Sequence, residues 1–100
     1  MDKYCLNLLC PPESEERLLD MLLESTGDKL FTSSHAYSHG TAHSLLSSLD
    51  QVLGRRQSIL VQVLLERDEL DPLLAQLAQL FAGIGLTYWA TSLALEGEIK

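Results

Sequence analysis

The chain has 100 residues, of which 14 are acidic and 7 are basic, so its formal net charge is −7. This balance argues against general nucleic-acid binding, because a phosphate backbone is held by a basic surface. One hundred residues correspond to a single domain, residues 1–100. No apolar run approaches the ~20 residues of a membrane-spanning helix, and no signal peptide is recognisable, so we expect a cytoplasmic protein without direct membrane insertion.

The first half of the chain predicts a strand, a helix and a second strand. Residues 4–10 alternate in the manner of a strand, with Leu6 and Leu8 on one face and Leu9 on the other. Pro11-Pro12 ends this strand and opens a helix, since proline suits the first helical turn. Residues 30–37 form the second strand candidate.

A long connection follows at about residues 38–56, in which the leucines and valine of residues 44–53 have spacings that would allow a short helix. Residues 57–66 alternate clearly and predict the third strand. Asp71-Pro72 predicts a helix start, as cap and first position. Glycines at 83 and 85 close that helix, and residues 87–95 predict the last strand.

This order predicts an α+β, ferredoxin-like βαββαβ fold, a four-stranded antiparallel sheet with two helices on one face. Several strands are apolar on both faces. The face that the helices cannot reach should carry Leu9, Leu60, Leu64 and an aromatic side chain from Tyr88 or Trp89. A hydrophobic share of 46% agrees with apolar surface that another subunit must cover, so we expect an oligomer.

The residues with ligand chemistry gather in and around the connection. His35, His39 and His43 are spaced by four, which resembles a transition-metal site if the segment is helical and separates the side chains if it is extended. Arg55 and Arg56 follow Gly54, where two guanidinium groups could hold a phosphate or a carboxylate. Scattered surface histidines and ordinary surface arginines remain the simpler alternatives.

Motifs for catalysis are missing from the sequence, which contains neither GxSxG nor HExxH. Neither phosphate-loop fingerprint, GxxxxGK[ST] or GxGxxG, is present. Cys5 and Cys10 are spaced as CxxxxC rather than CxxC and are most simply buried small side chains. We therefore expect that the protein is not an enzyme.

The chain resembles the small bacterial PII-like proteins of a domain family of unknown function. The resemblance spans nearly the whole chain, and its most specific part is the run that ends in Q-V-x-G-R-R, here Gln51 to Arg56. Aspartate stands at position 50, where the family pattern has glutamate. The other matching segments are Cys10-Pro11-Pro12, Thr32-Ser33, His39-Gly40 and Leu46-Ser47.

The resemblance implies a ferredoxin-like homotrimer related to PII signal proteins and to divalent-cation tolerance proteins. In PII proteins the connection between the second and third strands, the T-loop, contacts target proteins, and its base helps to hold ATP or ADP between subunits. Genes of this narrower family often lie beside heavy-metal efflux pump genes, so the implied target is a protein such as a metal-efflux component. An adenine nucleotide and a transition metal are the candidate cofactors.

We therefore expect a regulatory or sensor protein that binds a small ligand at its subunit clefts and signals through residues 38–56. The ligand-binding residues would be Gln51, Gly54, Arg55 and Arg56 together with His39 and Gly40. One alternative is a metal-binding protein of the cation-tolerance type that uses His35, His39 and His43. A second alternative is a structural oligomeric adaptor without a ligand.

Overall fold

The computed structural model describes residues 2–27, 29–40 and 55–100. Within these ranges the chain forms an antiparallel sheet in the order β2-β3-β1-β4, with both helices on one side. The predicted ferredoxin-like fold is confirmed. The strands are β1 (Lys3–Cys10), β2 (Phe31–Ser38), β3 (Arg56–Glu66) and β4 (Thr87–Leu93), and the helices are α1 (Glu15–Ser25) and α2 (Arg67–Leu80).

The core lies between the helices and one face of the two central strands. Strand alternation places Leu6 and Leu8 of β1 beside Val61 and Val63 of β3, and these four side chains are completely buried. The apolar stripes of the two helices close over them, and their buried residues are Leu18, Met21, Leu22, Leu70, Leu73 and Leu77. In both helices the buried residues recur at three- and four-residue spacing, which places them on one face.

The prediction that this helix, α2, begins at Asp71-Pro72 was wrong. The helix begins at Arg67, and Glu66 and Glu69 form a reciprocal capping box in which the Glu66 backbone N–H donates to Glu69 Oε1 at 2.8 Å. Pro72 therefore lies inside the helix. Its missing N–H would have bonded to the carbonyl of Asp68, a solvent-exposed first-turn residue, so water can satisfy that carbonyl.

The sheet face opposite the helices is called the open face here. Leu9 lies directly opposite Leu60, Leu64 is on the same face, and all three are half-buried. Trp89 belongs to this face because it lies opposite Asn7, whereas Tyr88 lies opposite Leu8 and faces the helices. The register thus resolves the choice between the two aromatic residues.

Smaller differences concern element ends. β2 is displaced by one residue from its predicted span, β3 begins one residue earlier than predicted, and β4 ends at Leu93 rather than at Leu95. The short helix predicted for residues 44–53 lies outside the described residues. In the part of the chain that the structure describes, neither helix is long and apolar enough to cross a membrane.

Candidate functional site

A cleft of about 350 Å³ lies at the end of the sheet where β1 and β2 finish and β3 and β4 begin. The antiparallel order brings these four strand ends together. The connection between β2 and β3 leaves the sheet at this end and returns to it there, so the cleft lies at the base of the connection. Its polar lining consists of Ser38, His39, Arg56, Ser58 and Thr87.

Arg56 is the principal charged group of the cleft. It is the first residue of β3, lies opposite Ser38 of β2, and is half-buried. None of the carboxylates in the described ranges forms an ion pair with it. A half-buried arginine with no carboxylate partner in the described ranges, in a chain of net charge −7, is suited to an anionic ligand because its guanidinium offers several N–H donors in a fixed plane.

Arg55 has a different environment from Arg56. Its guanidinium carbon lies 4.0 Å from the centroid of the Tyr37 ring, within the range of a cation–π contact. This contact joins the end of β2 to the start of β3. The Nε atom of Arg55 is buried and has no hydrogen-bond partner among residues 2–27, 29–40 and 55–100. Arg55 therefore links the two ends of the connection through its contact with Tyr37, whereas Arg56 lines the cleft.

Two serines and two glycines at the strand ends also line the cleft. The Ser38 and Ser58 hydroxyl oxygens are 2.7 Å apart, so one donates to the other across β2 and β3. Gly40 and Gly85 both line the cleft, and both have a positive φ, +81° and +85°. Other residues would be strained in these conformations. The cleft volume is within the range of pockets that hold small ligands.

Cys10 lines the cleft but has the properties of a structural cysteine. Its side chain is almost completely buried. Burial raises the pKa of its thiol, and the carboxylates of Glu15 and Glu13 raise it further. A thiol with a raised pKa stays protonated at neutral pH and is a poor nucleophile and metal ligand. The structure therefore agrees with the simple interpretation of Cys10 as a small core residue.

The predicted site residues are divided among three places. His39, Gly40 and Arg56 lie together at the cleft, Arg55 lies next to it on Tyr37, and Gln51 and Gly54 fall outside the described residues. Contributions from Ser38, Ser58, Gly85 and Thr87 were missed by the sequence reasoning. The signal that could have found them is topological, because the predicted fold already requires these strand ends to meet.

The histidine pattern is only partly visible. His35 is an exposed residue of β2, His39 follows the end of the same strand, and His43 lies outside the described residues. Four residues of extended chain separate two Cα atoms by roughly 13 Å, which is too far for two side chains that must share one ion without a bend. Residues 2–27, 29–40 and 55–100 contain no group of three potential ligands placed for a metal ion. The three-histidine site stays a prediction.

A second cavity, of about 340 Å³, lies between α2, β1 and β4 and shares Gly85 with the cleft. Its lining is mostly apolar and includes Leu77, Phe81 and Leu86. None of its lining residues is charged. It therefore offers no charge with which to hold an anion, unlike the cleft that contains Arg56.

The fold is shared with solved structures of low sequence identity. A DUF3240 family protein from Shewanella baltica OS155 superposes with a TM-score of 0.80 at 15% identity, covering 98% of this chain and 97% of that one. CPII, a nitrogen regulatory PII-like protein from Thiomonas intermedia K12 bound to ADP, AMP and bicarbonate, superposes with a TM-score of 0.73 at 15% identity, covering 99% and 98%. The B. subtilis GlnK–ATP complex gives 0.60 at 10% identity, covering 92% and 82%.

These similarities show that the chain has the fold of PII-like proteins. A comparison with curated protein sequences gave no match. The model of the DUF3240 family, described as a protein of unknown function, matches residues 1–100. The match covers the whole chain, so the protein belongs to the DUF3240 family.

Proposed function

We propose that this protein is a cytoplasmic, non-enzymatic PII-like regulator that binds a small anionic ligand in the cleft and signals through residues 38–56 to a protein target. The observation that carries the proposal is the position of Arg56. Arg56 lies in a cleft at the base of the connection, where His39 and Gly40, at the other end of the connection, line the same cleft. No carboxylate among the described residues forms an ion pair with Arg56.

The cleft geometry suggests how a ligand would act on the connection. Gly40 and Arg56 border the two ends of the connection, and both line the cleft. An anion that binds Arg56 and the groups around His39 contacts both ends at once. It therefore favours conformations of the connection in which those ends are held together, and the shift in population is set by its differential affinity for them.

The ligand class follows from charge and size. A guanidinium and several hydroxyl groups around a cavity of about 350 Å³ suit a phosphate- or carboxylate-bearing molecule. ADP, AMP and bicarbonate are the ligands of the Thiomonas protein, and ATP is the ligand of B. subtilis GlnK. These molecules are the first probes for this chain. The resemblance described above makes a metal-efflux component the first protein target to examine.

The proposed regulator assembles through its open face into a homotrimer. Apolar residues of that face, Leu9, Leu60, Leu64 and Trp89, lie on the side that the helices do not cover. A sheet face made of four strands of about seven residues has a flat area of roughly 400 Å². If about half of that area is apolar, its burial contributes on the order of 5 kcal/mol for each subunit before the entropic cost of association.

Thermal unfolding with a panel of ligands tests the proposal. ATP, ADP, AMP and bicarbonate are added one at a time, because a ligand that binds only the native state raises the melting temperature by mass action. We expect at least one anion to raise it, and Arg56→Ala to abolish the shift. Arg67→Ala is the matched control, since it removes the same charge from the exposed start of α2 and should leave the shift intact.

Two results would contradict the proposal. One is an anion-induced shift that survives in folded Arg56→Ala protein, which would place the ligand elsewhere. The other is a shift with Zn²⁺, Cu²⁺ or Ni²⁺ but with no anion. If that metal shift is lost when His35, His39 and His43 are replaced by alanine, the metal-binding alternative is correct.

A further inference from the structure

The centre of the open face holds a buried polar group that the proposed ligand site does not use. Asn7 of β1 lies on this face, and only 4% of its surface is accessible even in the single chain. Its side-chain oxygen accepts a hydrogen bond from Gln62 Nε2 at 3.0 Å. Its side-chain nitrogen donates to the backbone carbonyl oxygens of Cys5 at 3.3 Å and Trp89 at 3.4 Å.

Asn7 and Gln62 form a direct cross-strand pair. They are Cα partners in the antiparallel ladder between β1 and β3, and Trp89 is the partner of Asn7 on the other side, in β4. The amide of Asn7 is therefore satisfied inside the chain. Gln62 is different, because it is exposed and only its Nε2 atom has a partner among the described residues.

The charge distribution indicates that another copy of this chain covers the face. In the described strands, charged side chains occur only at its two ends, the Lys3–Glu66 ion pair at one and Arg56 at the other. Everything between them is uncharged, although the chain carries a net charge of −7. Two copies repel each other over most of their surfaces, so the uncharged face is where they can approach. A charged partner would find no opposite charge there.

We infer that Asn7 and Gln62 select a single packing of the copies by fixing the register in which their open faces meet. This inference rests on the assembly in the proposed function. An apolar face alone would permit several packings of similar free energy. A buried amide restricts them, because the carbonyl of Gln62 must meet a donor once water is excluded. Polar groups inside apolar interfaces can fix register and oligomeric state in this way, at a cost in stability.

Cyclic closure provides such a donor. Around a symmetry axis the Gln62 side chains of all copies occupy equivalent positions, so each amide can donate to the next. Packings that shift the copies along the strands leave the Gln62 oxygen against Leu60 or Leu64 of the neighbour. Those packings leave an acceptor unsatisfied and are disfavoured. Asn7 acts through Gln62, since its oxygen orients the Gln62 amide.

The test removes the polar pair and measures the distribution of oligomers by native mass spectrometry and sedimentation velocity at micromolar concentration. The double variant Asn7→Leu/Gln62→Leu replaces both partners by apolar groups, so it should fold with a melting temperature equal to or above that of the unmodified protein. We expect it to form more than one oligomer where the unmodified protein forms a single trimer. Thr91→Val is the control, because it makes another open-face residue apolar without touching the pair.

A second variant guards against misfolding of the double variant. Gln62→Met replaces an exposed side chain but also removes the hydrogen bond to Asn7 Oδ1, which keeps only the weak Cys5 thiol donor at 3.7 Å, so its melting temperature should fall while the fold persists. It should also produce mixed oligomers. A single trimer in both folded variants would overturn the inference and leave the proposed assembly in place. A monomeric unmodified protein would overturn the assembly and, with it, the inference. Mixed oligomers in Thr91→Val would show that any apolar substitution on this face has the effect, which also overturns the inference.

Discussion

The capping box at the start of α2 makes a quantitative prediction about stability. Glu69 Oε1 accepts the Glu66 backbone N–H at 2.8 Å and lies 3.2 Å from Lys29 Nζ. Glu69→Ala removes both contacts. Loss of a helix cap costs about 1 kcal/mol, and loss of a surface ion pair costs about 0.2–1 kcal/mol. With 4–8 °C per kcal/mol for a domain of this size, the melting temperature should fall by roughly 5–16 °C.

The same contacts predict a pH dependence. The pKa of Glu69 is lowered, first by the hydrogen bond from the Glu66 backbone and then by Lys29. Because the folded pKa lies below the unfolded one, the stabilisation is complete above the ordinary glutamate pKa of about 4.3 and is lost as the pH falls through the lower folded value. The difference between Glu69→Ala and the unmodified protein should therefore narrow in acid.

Differential scanning calorimetry at equal protein concentration and at several pH values measures both effects, since association makes the melting temperature depend on concentration. Asp68→Ala is the control. It removes a neighbouring first-turn carboxylate that belongs neither to the capping box nor to an ion pair in the described residues. Equal melting temperatures for Glu69→Ala and Asp68→Ala at neutral pH would refute the capping argument and the start of α2 at Arg67.

Two further predictions concern arginines outside the cleft. Arg17 of α1 donates to the Leu80 carbonyl oxygen and lies 4.7 Å from the centroid of the Phe81 ring. Arg17→Met should therefore lower the free energy of unfolding in urea by about 1 kcal/mol, and Arg17→Lys should lower it less. Equal stability of both variants and the unmodified protein would contradict this contact. In a double-mutant cycle, Arg55→Leu and Tyr37→Leu should show a coupling energy of about 0.5–1 kcal/mol, because the two side chains contact each other at the base of the connection. Strictly additive losses of stability would show that this contact contributes nothing.

The sequence was a good guide to the faces of the strands and a poorer guide to what happens at their ends. The alternation of Leu6 and Leu8 against Leu9 was enough to separate core from open face, since side chains alternate along any strand. The choice between Tyr88 and Trp89 needed the pairing of β4 with β1, which no local pattern encodes. Asp71-Pro72 misled the prediction of the α2 start because it is a strong local signal, whereas the Glu66–Glu69 box is formed by residues that are also ordinary in a strand end.

The candidate site could also be predicted only in part, because local sequence patterns do not show which distant residues come together. Gly54-Arg55-Arg56 marked the base of the connection, but the division of roles came only from packing, with Arg55 over Tyr37 and Arg56 at the cleft. The link between Asn7 and Gln62 was also invisible locally, because the two residues are 55 positions apart and meet only in the β1–β3 register. Long-range pairing is the information that a single sequence did not supply.

The central claim is that an anion in the cleft controls the connection between β2 and β3. Hydrogen–deuterium exchange with and without a saturating nucleotide that binds, such as ADP, measures this directly in peptides that cover residues 39–55. The account predicts slower exchange of those peptides on binding, no such change in Arg56→Ala, and an unaltered response in Arg67→Ala. Tight nucleotide binding that leaves exchange across residues 39–55 unchanged would contradict it.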